Sequence, residues 1–326
     1  MLKKEKIARG LILFSGGLDS ILVIKVLKEQ KIKVEAVTFE SCFFKVAESA
    51  KKIAKKLDIK LRIINLGKIY LNLVKNPKHG YGKSMNPCID CHLFMIREAG
   101  KIMKKEGFNF VATGEVLGER PMSQNKNAME LIEKESGIEG YLLRPLSAKL
   151  LEKTVVEKNG LVEREKMFAI KGRSRKVQIA LAKKWKINNY PTPAGGCLLT
   201  EIEFSKKLKE LFLKVPLCDK NDIGLLRLGR NFWIDNSKIV IGRNEDENNR
   251  IKKFQAKNDF LAELKDFRGP IALIRYYSNM GEDNIKKIIE KVGSLIKKYS
   301  KDAKFKKDVV LNFWQLGENK NEIIIK

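Results

Sequence analysis

The chain predicts a doubly wound parallel α/β sheet followed by a smaller α+β domain, and three observations carry that prediction. Short continuous apolar runs alternate with helical stretches from Leu11 to Ala112, the pattern of strands buried on both faces by crossover helices. The first run ends in a glycine-rich turn that opens a helix. The 326 residues exceed what one hydrophobic core usually holds, so a second domain is expected.

Taken in order, Leu11–Phe14 is a first strand and Ser20–Gln30 a helix with Ile21, Ile24 and Leu27 on one side. Lys33–Phe39 is a second strand. Phe43–Leu57 reads as a helix, because Phe43, Val46, Ala47, Ala50, Ile53, Ala54 and Leu57 recur at three- and four-residue spacing. Leu61–Leu66 is a third strand, Cys91–Lys105 a helix and Phe108–Ala112 a fourth strand. Beyond Thr113 the pattern breaks into loops, with a short extended piece ending at Arg144-Pro145-Leu146. Helices are expected at Glu163–Ala169, Arg175–Trp185 and Glu203–Leu213, and a turn-rich segment runs from Tyr190 to Cys197. A boundary near Val215-Pro216 divides the chain into domains 1–215 and 216–326. The second holds two Gly-Arg-Asn pieces at 229–231 and 242–244, strands at Ile271–Tyr276 and Val309–Trp314, and a helix at Asn284–Tyr299.

Composition narrows the function classes. A hydrophobic content of 44% excludes a disordered chain. No apolar run reaches the roughly 18 residues of a membrane span. The charged start, Met1-Leu2-Lys3-Lys4-Glu5-Lys6, is unlike a signal peptide. A cytoplasmic protein with no membrane partner is therefore expected. The net charge of +27 predicts attraction to polyanions, nucleic acid above all. A Lys-rich, heat-adapted surface would explain the lysines but would balance them with acids.

Ser15-Gly16-Gly17-Leu18-Asp19-Ser20 is the first chemical motif. Glycines let backbone approach a phosphate, and the amides and positive dipole end of a helix start favour an anion. Ser15 and Ser20 add hydroxyl donors. Asp19 cannot bind phosphate directly but can hold a Mg²⁺ that bridges phosphates. The bland alternative is a simple turn. Gly80-Tyr81-Gly82-Lys83-Ser84 only imitates a Walker loop, since Pro77 stands where that motif needs glycine.

The five cysteines are Cys42, Cys88, Cys91, Cys197 and Cys218. An odd count disfavours a disulfide framework. Cys88-Ile89-Asp90-Cys91 precedes a helix and Cys197 follows a Gly-Gly turn. Three thiols in two such loops fit an iron–sulfur cluster with one iron free of protein. A redox pair or persulfide relay, and a zinc site completed by a fourth ligand, remain open. His92 points away from such a site if the helix begins at Cys91. Cys42 and Cys218 read as small buried hydrophobes.

The Ser-Gly-Gly-Leu-Asp-Ser segment resembles the signature of PP-loop ATP pyrophosphatases, of adenine nucleotide alpha hydrolase-like fold. The resemblance implies ATP cleavage between α- and β-phosphates, AMP transfer to a substrate carbonyl oxygen, and displacement of AMP by a nucleophile. It implies that the loop holds pyrophosphate, that Thr38 and Phe39 lie near adenine, and that Thr113-Gly114 forms a second nucleotide-contacting turn. The motifs at Asn86–His92, Ala112–Gly118, Arg120–Gln124, Leu143–Ser147, Gly172–Lys176 and Pro193–Cys197 are similar to short relatives of tRNA 4-thiouridine synthetases that lack THUMP and rhodanese domains. This resemblance covers residues 8–213. It implies that Cys88, Cys91 and Cys197 hold a [4Fe–4S] cluster whose open iron carries the sulfur, and it makes them catalytic together with Asp19. Leu228–Phe232, Ile241–Asn244 and Glu247-Asn248 resemble the NFACT-type RNA-binding domain, over about residues 222–326. Independently, Arg230, Arg243, Arg250 and exposed-looking Phe232 and Trp233 suit backbone contacts and base stacking, or simply a basic surface over an aromatic core.

The expectation is thus an ATP- and Mg²⁺-dependent tRNA sulfur transferase, making 4-thiouridine, with sulfide or a sulfur-donor protein as partner. Arg120, Arg144, Arg173 and Arg175 are candidates for phosphate or tRNA contacts. A PP-loop amidotransferase or deazaguanine nitrile synthase is one rival, though neither needs such a charge. A non-catalytic RNA-binding protein is the other, and the intact loop speaks against it.

Overall fold

The computed structural model describes residues 7–191, 197–278 and 281–326; the Pro193–Gly196 turn expected before Cys197 lies outside them. The chain divides into two compact units, the first ending at Glu201 and the second running Ile202–Lys326. The helix Ile202–Lys214, expected in the first domain, groups with the second unit.

In the first unit the order is β1 (Arg9–Leu13), α1 (Leu18–Glu29), β2 (Lys33–Glu40), α2 (Glu48–Lys56), β3 (Leu61–Asn65), α3 (Gly67–Lys75), α4 (Cys88–Glu106), β4 (Phe110–Ala112), α5 (Lys126–Glu135), β5 (Leu142–Leu143), α6 (Val155–Lys158) and α7 (Lys176–Lys184). The sheet has the order β3-β2-β1-β4-β5 and every neighbouring pair is parallel. Its order reverses between β1 and β4. In open α/β sheets, ligands lie outside the carboxyl ends of strands at such a switch point. Leu11, Ile12 and Val111 are fully buried, as strands covered on both faces require.

Several elements differ from expectation for identifiable reasons. The apolar spacing from Phe43 becomes helical only at Glu48, because the Ser41 hydroxyl accepts from the Phe43 amide and Ser41 N–H donates to the Phe44 carbonyl, closing a turn. Phe43 and Phe44 instead pack on Tyr70 of α3, a helix the sequence did not announce. Glu163–Ala169 keeps only a 3₁₀ turn at Arg164–Lys166. Residues beyond Thr113 are not all loop: Asn125 caps α5 by accepting from Ala128 N at 2.9 Å. Most consequentially, α4 begins at Cys88 rather than Cys91.

The second unit comprises α8 (Ile202–Lys214), α9 (Lys220–Leu225), β6 (Arg230–Ile234), β7 (Ser237–Ile241), α10 (Glu245–Lys252), β8 (Phe260–Leu264), β9 (Ala272–Tyr276), α11 (Glu282–Tyr299), β10 (Val309–Gln315) and β11 (Asn321–Ile325). Its sheet has the order β11-β10-β8-β9-β7-β6, antiparallel throughout. Ile288, Ile289, Val292 and Ile296 of α11 pack on one face. Leu225 and Ile251, from α9 and α10, cover the other.

Candidate functional site

The turn after β1 is shaped by glycine. Gly16 has φ +78°, and a Cβ there would sit 2.6 Å from the Cβ of Ala50, so only glycine fits. Gly17 caps α1 and donates its N–H to the Ser15 hydroxyl at 3.2 Å. Ser20 donates back to the Gly17 carbonyl at 2.8 Å. The end of β4 lies close against this turn. A Cβ on Gly114 would meet the backbone of Asp19 and Ser20 at 2.9 Å. The two strand ends at the switch point thus form one crevice.

That crevice is a cavity of about 600 Å³ within the first unit. Ser15, Gly17, Asp19, Ser20, Thr38, Phe39, Thr113 and Gly114 line it, and so do Cys88, Cys91 and Cys197. Of the expected nucleotide residues only Gly16 is not on the wall; it packs on α2 instead. Three segments far apart in sequence therefore meet in one space.

Asp19 is the acidic group at the loop. Burial pushes its carboxyl above the ordinary range, and Arg175 offsets this in part. The Arg175 guanidinium stands 3.4 Å from Asp19 Oδ2, reaching it from the turn before α7. Asp19 Oδ1 has no well-aligned hydrogen-bond donor among the described residues, although the amide of the fully buried Gln178 lies beside the carboxyl. A carboxylate oxygen buried without a donor has the chemistry of a cation ligand.

The cysteines line the same cavity. With α4 starting at Cys88, Cys88 and Cys91 are one turn apart and share a helix face. Tyr70 donates its hydroxyl to Cys91 Sγ at 2.9 Å, and Asn86 Nδ2 donates to Cys88 Sγ at 3.2 Å. Burial pushes the Cys91 thiol up to about 12 and raises that of Cys197. Cys197 opens a short 3₁₀ turn; its carbonyl accepts from the Thr200 amide and hydroxyl, and Ser84 donates to the Thr200 carbonyl at 3.4 Å. That contact ties the Cys197 turn to the loop before Cys88. Among the described residues no three His, Cys, Asp or Glu side chains are grouped around a single point as one metal ion needs. A [4Fe–4S] cluster makes a different demand, since each thiolate binds its own iron.

Between loop and thiols stands a network that sequence reasoning missed. Glu115 is buried, accepts from Thr113 Oγ1 at 2.9 Å and from Arg144 Nε at 3.0 Å, and pairs with His92 Nδ1 at 2.7 Å. Arg144 also pairs with Glu133 at 2.6 Å and donates to the Met129 carbonyl. Arg144 is thus buried in ion pairs, which does not suit the phosphate or tRNA contact expected of it. Arg120 does line the cavity; Arg173 is exposed elsewhere. His92 also lines the cavity, and its Nδ1 pairs with Glu115 rather than with the thiols. The Thr113-x-Glu115 spacing at a strand end was the only available signal.

In the second unit the two Gly-Arg-Asn pieces are built into the fold. A Cβ on Gly229 would collide with the Ile241 carbonyl, and one on Gly242 with Asn248. Arg243 pairs with Glu247 at 2.6 Å, and Asn244 caps α10. Phe232 and Trp233, expected to be exposed, are half-buried. Phe232 stacks on Tyr299 and Trp233 packs on Tyr277, with Lys214 and Lys238 over its ring.

Comparison with known proteins agrees with this division. The model of the tRNA methyl transferase HUP domain matches residues 8–187, and that of the NFACT protein RNA binding domain matches residues 229–326. The tRNA-specific 2-thiouridylase MnmA 2 of Clostridium botulinum (strain Loch Maree / Type A3) is 30% identical over 154 residues, 44% of this chain and 43% of that protein. The chain therefore spans less than half the length of the first curated relatives it matches. The tRNA-specific 2-thiouridylase MnmA of Clostridioides difficile (strain 630) is 23% identical over 95% of this chain and 98% of its own length. Among solved structures, the U34-tRNA thiolase NcsA of Methanococcus maripaludis with its [4Fe–4S] cluster is similar at a TM-score of 0.33 and 19% identity, covering 68% of this chain and 74% of that one. With more than half of its residues matched, this chain belongs to the tRNA methyl transferase HUP domain family, here carrying a PP-loop and followed by an NFACT-type RNA-binding domain.

Proposed function

We propose that the protein is an ATP-dependent tRNA thiolase, which adenylates a uridine carbonyl and replaces its oxygen with sulfur. One observation carries the reading: a phosphate-type loop and three cysteines, 109 positions apart at the extremes, line the same 600 Å³ cavity. Activation and sulfur delivery need a shared space, because the adenylated carbonyl must meet the sulfur before water does.

The residues have distinct parts in this reading. The amides at Ser15–Gly17 and the start of α1 hold the pyrophosphate of ATP. Asp19, with its unpartnered oxygen, would hold Mg²⁺, which neutralises phosphate charge. Arg175 stabilises Asp19 while the loop is empty and lies within reach of phosphate oxygens when a cation takes the carboxylate. Thr38, Phe39, Thr113 and Gly114 shape the nucleotide end. Adenylation converts a poor oxygen leaving group into AMP.

The donor set of Cys88, Cys91 and Cys197 fits a [4Fe–4S] cluster. All three are soft thiols on one wall, and the Tyr70 and Asn86 donors are placed as a thiolate would want them. When bound, such a cluster supplies an iron site that can carry the sulfur. Burial raises the Cys91 thiol, and binding iron would offset that cost by holding it as thiolate. Sulfide or a sulfur-donor protein would supply the sulfur.

The sequence motifs favour the O4 carbonyl and 4-thiouridine. The curated relatives are named 2-thiouridylases, which makes O2 the second reading. Both are tested by anaerobic reconstitution with iron and sulfide, incubation with tRNA and ATP, and mass spectrometry of the nucleosides. Release of AMP and pyrophosphate with 4-thiouridine or 2-thiouridine supports thiolation and names the carbonyl. Thiolation indifferent to iron or to Cys197→Ala would discard the cluster.

A further inference from the structure

We infer that Phe305 is a stacking platform for an unpaired RNA base, with the lysines around it gripping the flanking phosphates. The inference is independent of the thiolation chemistry. It concerns the second unit alone, where residues 229–326 match an RNA-binding domain.

Phe305 is out of place for its kind. Of the sixteen phenylalanines it alone is exposed, at 86%. A single exposed apolar residue on a slack loop means little. This one sits on a turn that is fixed at its base. Ser300, at the end of α11, is buried; it donates to the Arg268 carbonyl at 2.7 Å and accepts from the Ala303 amide at 3.2 Å. Ala303 is fully buried, and its carbonyl accepts from the Lys306 amide at 3.0 Å. Lys297 of α11 donates to the Lys307 carbonyl at 2.8 Å and closes the far end. The turn is tied down on both sides of Phe305, so ordering it costs little when a ligand binds.

The charge around the ring is unbalanced. Six of the eleven residues 297–307 are lysine, and Asp302 is the only acid among them. Elsewhere Lys51, Lys101, Lys166 and Lys206 each pair with a glutamate three positions earlier. Among the described residues none of the six lysines at the turn pairs with a carboxylate. Lys304 Nζ stands 4.5 Å from the centre of the Phe305 ring. It covers one face with a cation and leaves the other to solvent.

Such a surface fits a polyanion that also carries flat rings. Single-stranded RNA supplies both, since every base has a π-face and phosphates on either side. Duplex RNA supplies only the phosphates, because its bases are already stacked on one another. A membrane surface would also draw the lysines, but binding there grows with buried apolar area. No apolar side chain of residues 300–307 other than Phe305 is exposed.

The test uses the full chain and fluorescence anisotropy with a short unstructured RNA, alone and as its blunt duplex, over a range of salt. Phe305→Ala should weaken binding of the single strand about fivefold or more, as expected for one lost stacking contact. Its affinity for the duplex and its salt dependence should stay as in wild type. Phe305→Tyr, which keeps the ring, should bind both as wild type does. Lys306→Gln with Lys307→Gln should weaken both RNAs and lower the salt slope by about one for each lysine. Single-strand affinity unchanged in Phe305→Ala, or an equal loss on both RNAs, overturns the inference. So does wild type that binds neither RNA. Vesicles of phosphatidylserine and phosphatidylcholine form the last arm: vesicle binding abolished by Phe305→Ala, with RNA affinity intact, would give the turn to a lipid surface instead.

Discussion

In the proposed reaction Asp19 is the residue on which the chemistry of the loop turns. Its half-buried carboxyl has the Arg175 guanidinium 3.4 Å from Oδ2, with Gln178 and Arg120 also nearby. Asp19→Asn keeps the shape and removes the charge. It should cut ATP-dependent AMP release by about a hundredfold or more, while circular dichroism and iron binding stay as in wild type. Glu115 makes a separate, pH-linked prediction. Its carboxyl titrates at about 2 in the folded chain against 4.5 ordinarily, so its contribution to stability is complete above about 4.5. That contribution is lost as pH falls from there towards 2. Urea unfolding of wild type should weaken more steeply through this window than that of Glu115→Gln. Both residues were present in the sequence motifs, but only Asp19 was legible as functional. A carboxylate beside a glycine turn has few other uses, whereas the role of Glu115 depends on Arg144, 29 positions away, and on how α4 begins.

The elements show where periodicity informs and where it stops. Strand β1 was readable because burial on both faces leaves an apolar run, and β2 and β3 by their clustered β-branched and apolar residues. The start of α4 was not, because Asn86-Pro87-Cys88 offers no side-chain cap: Pro87 stands at the cap position without a hydrogen bond. The three residues gained there bring Cys88 into the helix, one turn before Cys91. Helix α3 was missed although its Tyr70 bears on Cys91, since nothing before Gly67 announces a helix. Burial also overrode charge in two places. Arg144→Met would leave the buried Glu115 without its Arg144 partner. Removing one partner of such a buried pair costs about 3–5 kcal/mol, and the loss should be seen as a lowered denaturation midpoint. On β7, Lys238 is buried over the Trp233 ring, and burial lowers its ammonium to about 8 from 10.5. The unfolded chain binds this proton more tightly, so stability should rise as pH goes from 8 to 10.5. Lys238→Met should flatten that rise when the unfolding of the second unit is followed by tryptophan fluorescence.

The molecule as a whole joins a unit matched to the HUP domain to one matched to an RNA-binding domain, under a charge of +27. Binding of tRNA should therefore weaken about tenfold or more between roughly 50 and 200 mM salt, as phosphate contacts release counterions, while ATP affinity changes little. Fluorescence anisotropy with labelled tRNA and labelled nucleotide reads both. Charge and domain count were legible from composition alone. The division at Glu201 rather than Val215 was not, because α8 carries apolar residues suited to either side and only packing assigns it. The convergence of distant segments on one cavity carries a consequence for synthesis. The loop and the first two thiols leave the ribosome long before Cys197 does. At about 5–20 residues per second the gap from Cys91 to Cys197 lasts roughly 5–20 s. For that interval the first two thiols are without the third. In the cluster reading proposed above, iron loading is thus a late event, and oxidation of Cys88 and Cys91 during that interval is the hazard that an anaerobic or well-reduced cell would remove.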